Sequence, residues 1–467
     1  MAKSTTSLLS CTRKAASGLL LFVIIGALAL SGCEDTNDSS STVAIQANKP
    51  VSFWVATDTH YLAPSLHDHG QAFQTYVSSG DGKQLPYIDE ITEAFVYDIE
   101  RLKPSFIILS GDLTNNGERA SHEELTKKLK RIEKSGTSVY VIPGNHDLFN
   151  PWARELRGDK QIVTDSITDK DFTEMYHSFG FEEALSRDDK SLSYAVRAAP
   201  GLWLLMIDSS QYHNNQKYGF PQTDGQIGAS TLQWIDECVQ SAAAEHASII
   251  TVMHHNLLNH TSLPISGFKL NNSKETLSNF RSNGLNLVLS GHIHMQDIRV
   301  NPEPDSNATT DSQMPVYDIA TSAFAVNPHQ YGAMTYDPRT HQLTYNTMPI
   351  DVEAWAKSEH ISDPNLTGFK AYAEASFGEG SYNKAYNSLK DSSFTEEQKQ
   401  LMSQAMSTLN VRYFAGTAGN RAADLKATPG YQLWAQVTDG FIPGYMKTMT
   451  DPKEPDNTSL RMVLTPR

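Results

Sequence analysis

From Val51 onward, short apolar runs rich in β-branched and aromatic residues alternate with longer amphipathic patterns. Runs of this length, bounded by turn residues, are typical of buried strands. Strands that alternate with helices indicate an α/β fold. The predicted strands are Phe53–Thr57, Phe106–Leu109, Val139–Ile142, Trp203–Ile207, Ile249–Met253, Leu287–Leu289 and Val316–Ile319.

The clearest helix is predicted at Tyr87–Leu102, where apolar residues recur at helical spacing on one face. Pro104 follows it and prevents the helix from continuing. The segment Tyr331–Pro349 has a different pattern, in which two alternating runs flank a turn. It predicts a β-hairpin.

The C-terminal part of the chain carries no further strand signal from about Asp351. Within it, Thr395-Glu-Glu-Gln fits a capping box that opens a helix through about Tyr413. We therefore predict one α/β domain over residues 51–350 and a smaller, mainly helical domain over residues 351–467.

The N-terminus has the pattern of an export signal, with basic residues followed by the apolar run Ala15–Leu30. The run is short for a membrane-spanning helix, which needs about 20 apolar residues. Leu30-Ser31-Gly32-Cys33 resembles the lipobox of bacterial lipoproteins, which implies cleavage before Cys33 and lipid on its sulfur. This predicts a signal peptide over residues 1–32, a polar tether over 33–50 and an extracytoplasmic, membrane-anchored lipoprotein. A simple N-terminal anchor is the alternative.

The chain is acidic, with 38 basic and 53 acidic residues and a net charge of −15. Proteins that bind nucleic-acid polymers need a basic surface, so we expect no such partner. A small anionic substrate stays possible if the site that receives it is locally positive. Of the three cysteines, only Cys238 lies outside the first 33 residues, and its helical context predicts a structural role.

Fragments with metal-ligand chemistry follow five of the predicted strands. Carboxyl ends of neighbouring parallel strands meet at one edge of a sheet, so these fragments can converge. Aspartate and histidine suit divalent ions of intermediate hardness. Each fragment alone is a weak signal, but the joint pattern predicts a metal site. The fragments are Asp58-Thr59-His60, Gly111-Asp112, Gly144-Asn145-His146-Asp147, His254-His255-Asn256 and Gly291-His292-Ile293-His294.

This series resembles the calcineurin-like metallophosphoesterases. The resemblance implies two packed mixed β-sheets flanked by helices, with two divalent ions (Mn, Fe or Zn) at one edge. It also implies that His146 is catalytic, close to the leaving or non-bridging oxygen; the alternative is that His146 only orients a metal ligand by hydrogen bonding. His255 either supports a ligand or only packs. The implied ligands are Asp58, His60, Asp112 and His294 for one ion, and the shared Asp112 with Asn145, His254 and His292 for the other.

One departure narrows the substrate class. Protein phosphatases of this superfamily read G-D-x-V-D-R-G, where this chain has Gly111-Asp-Leu-Thr-Asn-Asn-Gly117. In the protein phosphatases, an aspartate at the position of Asn115 pairs with the catalytic histidine, and an arginine at the position of Asn116 binds phosphate. The stretch is instead similar to bacterial class III cyclic-nucleotide phosphodiesterases. Glu118 and His122 lie either near the site or at a solvated helix start.

The expected function is hydrolysis of small phosphodiesters, with cyclic nucleotides as the leading substrates, by in-line attack of a metal-bridging hydroxide. Two alternatives stay open: a phosphomonoesterase, nucleotidase or glycerophosphodiesterase on the same fold, and a non-catalytic surface-binding lipoprotein. The expected contacts are a small phosphodiester and, through lipid on Cys33, a membrane. The sequence predicts no oligomeric state.

Overall fold

The computed structural model describes residues 46–263, 265–301, 314–438, 440–450 and 457–466. The predicted signal peptide and Cys33 lie outside these ranges. Among the helices within them, none is both long enough and apolar enough to cross a membrane.

Strands of the described residues form two large mixed sheets and one small hairpin. The strands are β1 (Val51–Ala56), β2 (Phe106–Ser110), β3 (Ser138–Ile142), β4 (Arg154–Arg157), β5 (Lys160–Val163), β6 (Ser186–Arg187), β7 (Tyr194–Ala199), β8 (Leu202–Ile207), β9 (Ser248–Met253), β10 (Leu287–Ser290), β11 (Asp297–Asn301), β12 (Val316–Ala320), β13 (Gln330–Asp337), β14 (Gln342–Pro349) and β15 (Ser459–Val463).

The first sheet has the order β15-β14-β13-β1-β2-β3, in which β1, β2 and β3 are parallel and the other pairings are antiparallel. The second has the order β11-β12-β10-β9-β8-β7-β6, with β12, β10, β9 and β8 parallel. Their parallel centres are buried, as expected of strands covered on both faces. The predicted fold class, two mixed sheets with flanking helices, is confirmed.

Helices cover the sheets and make up most of the C-terminal part. They are α1 (Gln71–Ser79), α2 (Ile88–Leu102), α3 (Arg119–Lys134), α4 (Asp169–Met175), α5 (Asn215–Tyr218), α6 (Ala229–Ala244), α7 (Ser273–Ser282), α8 (Val352–Ser358), α9 (Pro364–Thr367), α10 (Phe369–Ser388), α11 (Glu396–Phe414), α12 (Ala422–Lys426), α13 (Pro429–Trp434) and α14 (Phe441–Met449).

The two sheets meet through buried apolar and aromatic side chains. Tyr194 on β7 is fully buried, and its hydroxyl donates to the carbonyl of Val141 on β3 at 2.8 Å. The amide of Val141 in turn donates to the same hydroxyl at 3.1 Å. Because a buried tyrosine hydroxyl needs a partner, this pair ties one sheet to the other without leaving a polar group unpaired.

Local sequence signals agree with several element boundaries. Helix α2 ends at Leu102, and the next residue, Lys103, adopts a left-handed conformation directly before Pro104. The predicted hairpin is β13–β14. At the start of α11, Thr395 and Gln398 make both hydrogen bonds of the predicted capping box. These signals are readable because the residues that make them are neighbours in sequence.

Strand β15 differs from the expectation that residues 351–467 lack strands. It pairs with β14 at the edge of the first sheet, so the chain returns to the α/β domain after the C-terminal helices. The strand is only five residues long. Most of its side chains are exposed, since it lies at an edge, and such a run gives little apolar signal.

Candidate metal centre

The predicted ligand fragments follow strands β1, β2, β3, β9 and β10, and their carboxyl ends converge. Main-chain bonds join these ends, with Asp58 N donating to Gly111 O and Gly291 N donating to His254 O, both at 3.0 Å. The first bond lies within one sheet and the second within the other. The site therefore lies where the two sets of parallel strands end together, as expected for ligands of open α/β sheets.

One group of side chains consists of Asp58, His60, Asp112 and His294, whose ligand atoms all lie within 4.8 Å of one another. His294 Nε2 lies 3.3 Å from Asp58 Oδ1 and 3.0 Å from His60 Nε2. His60 Nε2 lies 3.8 Å from both Asp58 Oδ1 and Asp112 Oδ2. These four side chains could hold one divalent ion.

A second group consists of Asp112, His254 and His292, again within 4.8 Å. His254 Nε2 lies 3.3 Å from Asp112 Oδ2 and 3.2 Å from His292 Nδ1. The side-chain oxygen of Asn145 lies 3.1 Å from the same His254 nitrogen. The seven predicted ligands thus come together, and Asp112 belongs to both groups.

The outer atoms of these side chains are held so that the inner atoms face the cluster. Asp58 Oδ2 accepts from His292 N and from Thr57 Oγ1, at 2.9 and 2.8 Å. Asp112 Oδ1 accepts from His146 N at 2.8 Å, which leaves Asp112 Oδ2 for the shared position. On the far side of its ring, His254 Nδ1 lies 3.0 Å from Ser110 O. Such outer contacts orient metal ligands.

The donor set fits divalent ions because carboxylate oxygens and imidazole nitrogens converge there and some of these side chains keep an unpaired polar atom. Buried Asp58 Oδ1 and His60 Nδ1 have no hydrogen-bond partner. Burial opposes a charged imidazole, but the adjacent Asp112 carboxylate raises the pKa of His254 to about 9. The site thus attracts a proton at this point, and divalent ions supply the same positive charge to carboxylate, amide and imidazole ligands.

Five of the seven ligands adopt left-handed backbone conformations, which are rare outside glycine. Such conformations cost free energy and persist only where the surrounding structure enforces them, typically at functional sites. The sequence pattern did not predict this feature. The five are Asp58, His60, Asp112, His292 and His294, with φ between 41° and 68°.

Two glycines allow the fragments to approach each other. A Cβ on Gly144 would lie 2.2 Å from Asp112 Oδ1, and one on Gly291 would lie 1.9 Å from Thr57 Oγ1. Neither glycine has a positive φ. These positions therefore require glycine for close packing.

His146 lies at the edge of the cluster, with its ring 5.3 Å from that of His60 and perpendicular to it. Its Nδ1 pairs with the side-chain oxygen of Asn116 at 2.9 Å. The expectation that Asn115 occupies the place of the histidine's partner is wrong, because Asn115 instead donates to the Tyr76 hydroxyl. Asn116 is the partner, and Nε2 is the ring nitrogen left for a substrate.

Behind the cluster, Asp147 joins the loops after β2 and β3. Its carboxylate accepts from Gly144 N and Leu113 N, at 2.7 and 3.1 Å, and from the amide and hydroxyl of Thr114, at 2.9 and 3.0 Å. His122 contacts the same Thr114 hydroxyl at 3.1 Å. His122 and Glu118 are fully buried, so a solvated helix start is excluded for both.

Three further polar residues in the loops around the site have structural contacts. Both ring nitrogens of His255 are engaged, with Ser209 Oγ at 2.8 Å and Thr223 O at 3.0 Å, so this residue packs behind the site. The buried Tyr61 hydroxyl donates to Asp89. Asp208 accepts from nearby main-chain amides and a tyrosine hydroxyl, as expected of a turn acid.

The sequence did not indicate a loop between α1 and α2 that reaches the cluster. Asp81 Oδ2 lies 3.6 Å from His294 Nδ1, and Lys83 Nζ lies 3.6 Å from the same carboxylate oxygen. The Tyr76 hydroxyl accepts from the side-chain amides of Asn115 and Asn116, both at 2.9 Å. The only local signal is the turn sequence Asp81-Gly-Lys83.

A separate cavity of about 1240 Å³ lies between hairpin β13–β14 and helices α10 and α11. Its lining includes Tyr331, Phe369 and Arg412 but none of the seven ligands. The cavity is therefore distinct from the candidate centre, where the carboxylates and imidazoles meet.

Comparisons with known proteins agree with the geometry. Residues 51–296 match the family described as calcineurin-like phosphoesterase, and residues 351–456 match that described as the C-terminal domain of cyclic nucleotide phosphodiesterase. No curated protein matches the chain.

Similar solved structures include a dimetal phosphatase from Danio rerio, 13% identical over 64% of this chain and 96% of that chain, with a TM-score of 0.44. Purple acid phosphatase PPD1 from yellow lupin is 12% identical over 65% of this chain and 52% of that chain, with a TM-score of 0.39. The family match alone spans more than half of the chain. The chain therefore belongs to the calcineurin-like phosphoesterase family and is a metal-dependent phosphoesterase.

Proposed function

We propose that this phosphoesterase hydrolyses small phosphodiesters, with cyclic nucleotides as its principal substrates. The observation that carries the proposal is the match of residues 351–456 to the C-terminal domain of cyclic nucleotide phosphodiesterase, on the same chain as the ligand cluster. The neutral pair Asn115 and Asn116 supports it, because no arginine stands where protein phosphatases grip a phosphomonoester.

The two groups that share Asp112 would hold two divalent ions, for which we propose Mn, Fe or Zn. When bound, such ions neutralise charge on phosphoryl oxygens and make water acidic enough to ionise near neutral pH. His146 contributes from outside the ligand set. The side-chain oxygen of Asn116 accepts from His146 Nδ1, so Nε2 is oriented to bind an oxygen of the phosphoryl or leaving group when it carries a proton.

A hydrolysis panel on the metal-reconstituted protein tests the substrate class. It contains 3′,5′- and 2′,3′-cyclic nucleotides, a linear diester, glycerophosphodiesters and a phosphomonoester. We expect the cyclic nucleotides to give the highest kcat/KM. Hydrolysis of the monoester alone would overturn the diesterase assignment, and absence of all hydrolysis in folded, metal-loaded protein would favour a binding lipoprotein.

Ligand substitutions test the site itself. Asp112→Ala removes the carboxylate shared by both groups, and His254→Ala removes one imidazole. We expect both to abolish diester hydrolysis and to lower the bound metal measured by mass spectrometry. The surface variant Lys127→Met, whose ion pair with Glu124 is exposed, is the matched control. Full activity in either folded ligand variant contradicts the assignment.

Lipid anchoring is a second part of the proposal and rests on the Leu30–Cys33 tetrapeptide. We expect mass spectrometry of the mature protein to find diacylglycerol on an N-terminal Cys33. We also expect Cys33→Ala to release the protein from the membrane fraction. An unmodified Cys33 in membrane-bound protein would instead support a simple N-terminal anchor.

A further inference from the structure

The loop from Gly80 to Gln84 is tied to the backbone that carries the first ligand. Gln84 N donates to Ala325 O at 2.7 Å, and Lys83 forms an isolated antiparallel bridge with Val326. Ala325 N in turn donates to Asp58 O at 3.2 Å. The loop therefore has a fixed position relative to the metal ligands.

C-terminal helix α10 holds the outer side of the same loop. Lys384 Nζ donates to Gly80 O at 2.9 Å. The ring of Phe377 lies so close to Gly82 that a Cβ there would be 2.9 Å from it, and Gly82 adopts a positive φ of 100°. Phe377 also packs with Val326, the bridge partner of Lys83. The helical domain thus contributes to the placement of Lys83.

The side chain of Lys83 is only 12% exposed, and its ammonium faces Asp81, which contacts the outer ring nitrogen of the ligand His294. Its nearest carboxylate, Asp81, is 51% exposed and 3.6 Å away. Although burial opposes it, the charge of Lys83 lowers the pKa of the Asp81 carboxyl. The two groups are nevertheless 3.6 Å apart, which is too far for a hydrogen bond, so the ammonium hydrogens of Lys83 are left for another acceptor.

The charge of Lys83 is maintained by the carboxylates around it. Burial opposes the charge of Lys83 itself, but the carboxylates of Asp81, Asp112 and Asp58 leave its pKa raised. Lys83 is thus a permanent cation in the electrostatic range of the ligands.

A hydrogen-bond donor accompanies this cation. The Tyr76 hydroxyl uses both lone pairs to accept from Asn115 and Asn116, so its own hydrogen is available to donate. Asn116 also contacts His146 at 2.9 Å. Tyr76, Asn116 and His146 therefore form one connected polar wall beside the cluster.

The charge balance around Lys83 indicates which kind of ligand the site is suited to bind. Within the ligand set and the Gly80–Gln84 loop, two divalent ions would bring four positive charges and Lys83 a fifth, against the three carboxylates of Asp58, Asp112 and Asp81. The net charge of these groups is therefore positive. An ammonium group is stable beside other cations only where an anion binds between them. A phosphoryl group carries negative oxygens on several sides, so an ammonium can bind an oxygen beyond the two ions.

We propose that Lys83 binds the phosphoryl group of the substrate, and that the Gly80–Gln84 loop, held by the C-terminal helices, forms the anion-binding side of the site. The proposal rests on the proposed phosphodiester hydrolysis for its biological substrate. It makes Lys83 a substrate-binding residue that acts beside the metal ligands.

The test measures orthophosphate binding to manganese-loaded protein by isothermal titration calorimetry, with metal content determined on the same samples. Lys83→Met should weaken orthophosphate binding by at least about tenfold, because a charge-assisted contact is lost. It should also raise KM more than it lowers kcat, with unchanged metal content. The orthophosphate affinity of Lys83→Arg should stay within about threefold of the wild-type affinity. The affinity of the surface control Lys127→Met should equal that of the wild type.

Lys83→Gln is a second neutral variant for the case that methionine disturbs folding. Wild-type orthophosphate affinity in either folded neutral variant overturns the proposal. Loss of metal or of fold in both variants also overturns it, because the lysine would then be structural. If cyclic nucleotides are not hydrolysed while Lys83→Met still weakens orthophosphate binding, the substrate proposal fails and the assignment of Lys83 stands.

Discussion

Replacing Gly291 with alanine would place a methyl group where the two sheets approach each other behind the metal ligands. The new Cβ would lie 1.9 Å from Thr57 Oγ1 and 2.6 Å from Asp58 Oδ2. An ordinary contact begins at 3.4 Å, so the Thr57 oxygen would have to move by about 1.5 Å. That movement breaks the bond from Thr57 Oγ1 to Asp58 Oδ2, which is 2.8 Å long.

Two effects set the magnitude. Overpacking a dense interior costs about 1–3 kcal/mol. Loss of a buried hydrogen bond to a carboxylate costs about 1.5–3 kcal/mol. We therefore expect Gly291→Ala to lower the free energy of unfolding by about 3–5 kcal/mol. Because a displacement of about 1 Å can cost about a hundredfold in rate, kcat should fall by about that factor.

The assays are urea unfolding, metal stoichiometry and steady-state kinetics on the same preparations. Gly380→Ala is the matched control, since Gly380 lies within helix α10 with nothing within 4 Å of a Cβ. It should increase stability by about 0.5–1 kcal/mol and leave kcat unchanged.

A double variant separates the specific clash from general damage. Thr57→Ala removes the nearest obstructing atom, so Thr57→Ala combined with Gly291→Ala should lose less stability than the two single variants together. Strict additivity, or a Gly291→Ala protein with wild-type stability, metal content and kcat, would refute the packing argument.

Three further predictions concern metal, a buried network and pH. Chelation of tightly bound ions should lower the unfolding free energy by about 4 kcal/mol relative to protein with metal at a thousandfold excess over Kd, and an unchanged melting temperature would contradict the metal assignment. Asp147→Ala should cost about 3–5 kcal/mol in urea unfolding, because three main-chain amides and the Thr114 hydroxyl lose their buried acceptor; a loss below 1 kcal/mol would be inconsistent with the network. His260 is buried between Asp297 and Asp318, at 2.9 and 3.2 Å, and although burial opposes its charge, these carboxylates raise the pKa of His260 to about 9. A raised pKa stabilises the fold at pH values below the ordinary pKa of 6.5, and this stabilisation is lost as the pH rises through about 9. The free energy of unfolding should therefore fall by about 3 kcal/mol across this window in the wild type but not in His260→Gln. Equal pH slopes for the two proteins would show that His260 does not titrate in this way.

The parts of the site that could be predicted are those with short-range signals. Each ligand fragment directly follows a predicted strand, and parallel strands bring their ends together whatever the details of packing. The ligand residues could therefore be identified from short fragments such as Gly111-Asp112 and Gly291–His294. Their left-handed backbone conformations could not be predicted, since they result from the close approach of several loops.

The parts that could not be predicted depend on contacts between distant segments. Lys83 is positioned by Val326 and by helix α10, some 240 to 300 residues further along the chain. The choice of Asn116 over Asn115 as partner of His146 follows from the path of one loop, in which Tyr76 engages both amides. Strand β15 likewise becomes a strand only because β14 offers an edge.

The negative net charge of the chain and the local charge of its candidate site act on an anionic substrate in opposite directions. A net charge of −15 repels a long polyanion wherever it contacts the surface, and salt weakens but does not reverse that repulsion. A small phosphodiester carries its charge at one point, which can enter the locally positive region formed by bound ions and Lys83. With ions bound as proposed, the acidic surface and the positive site would together select for small substrates, and helix α10 would influence that selection through the loop that carries Lys83.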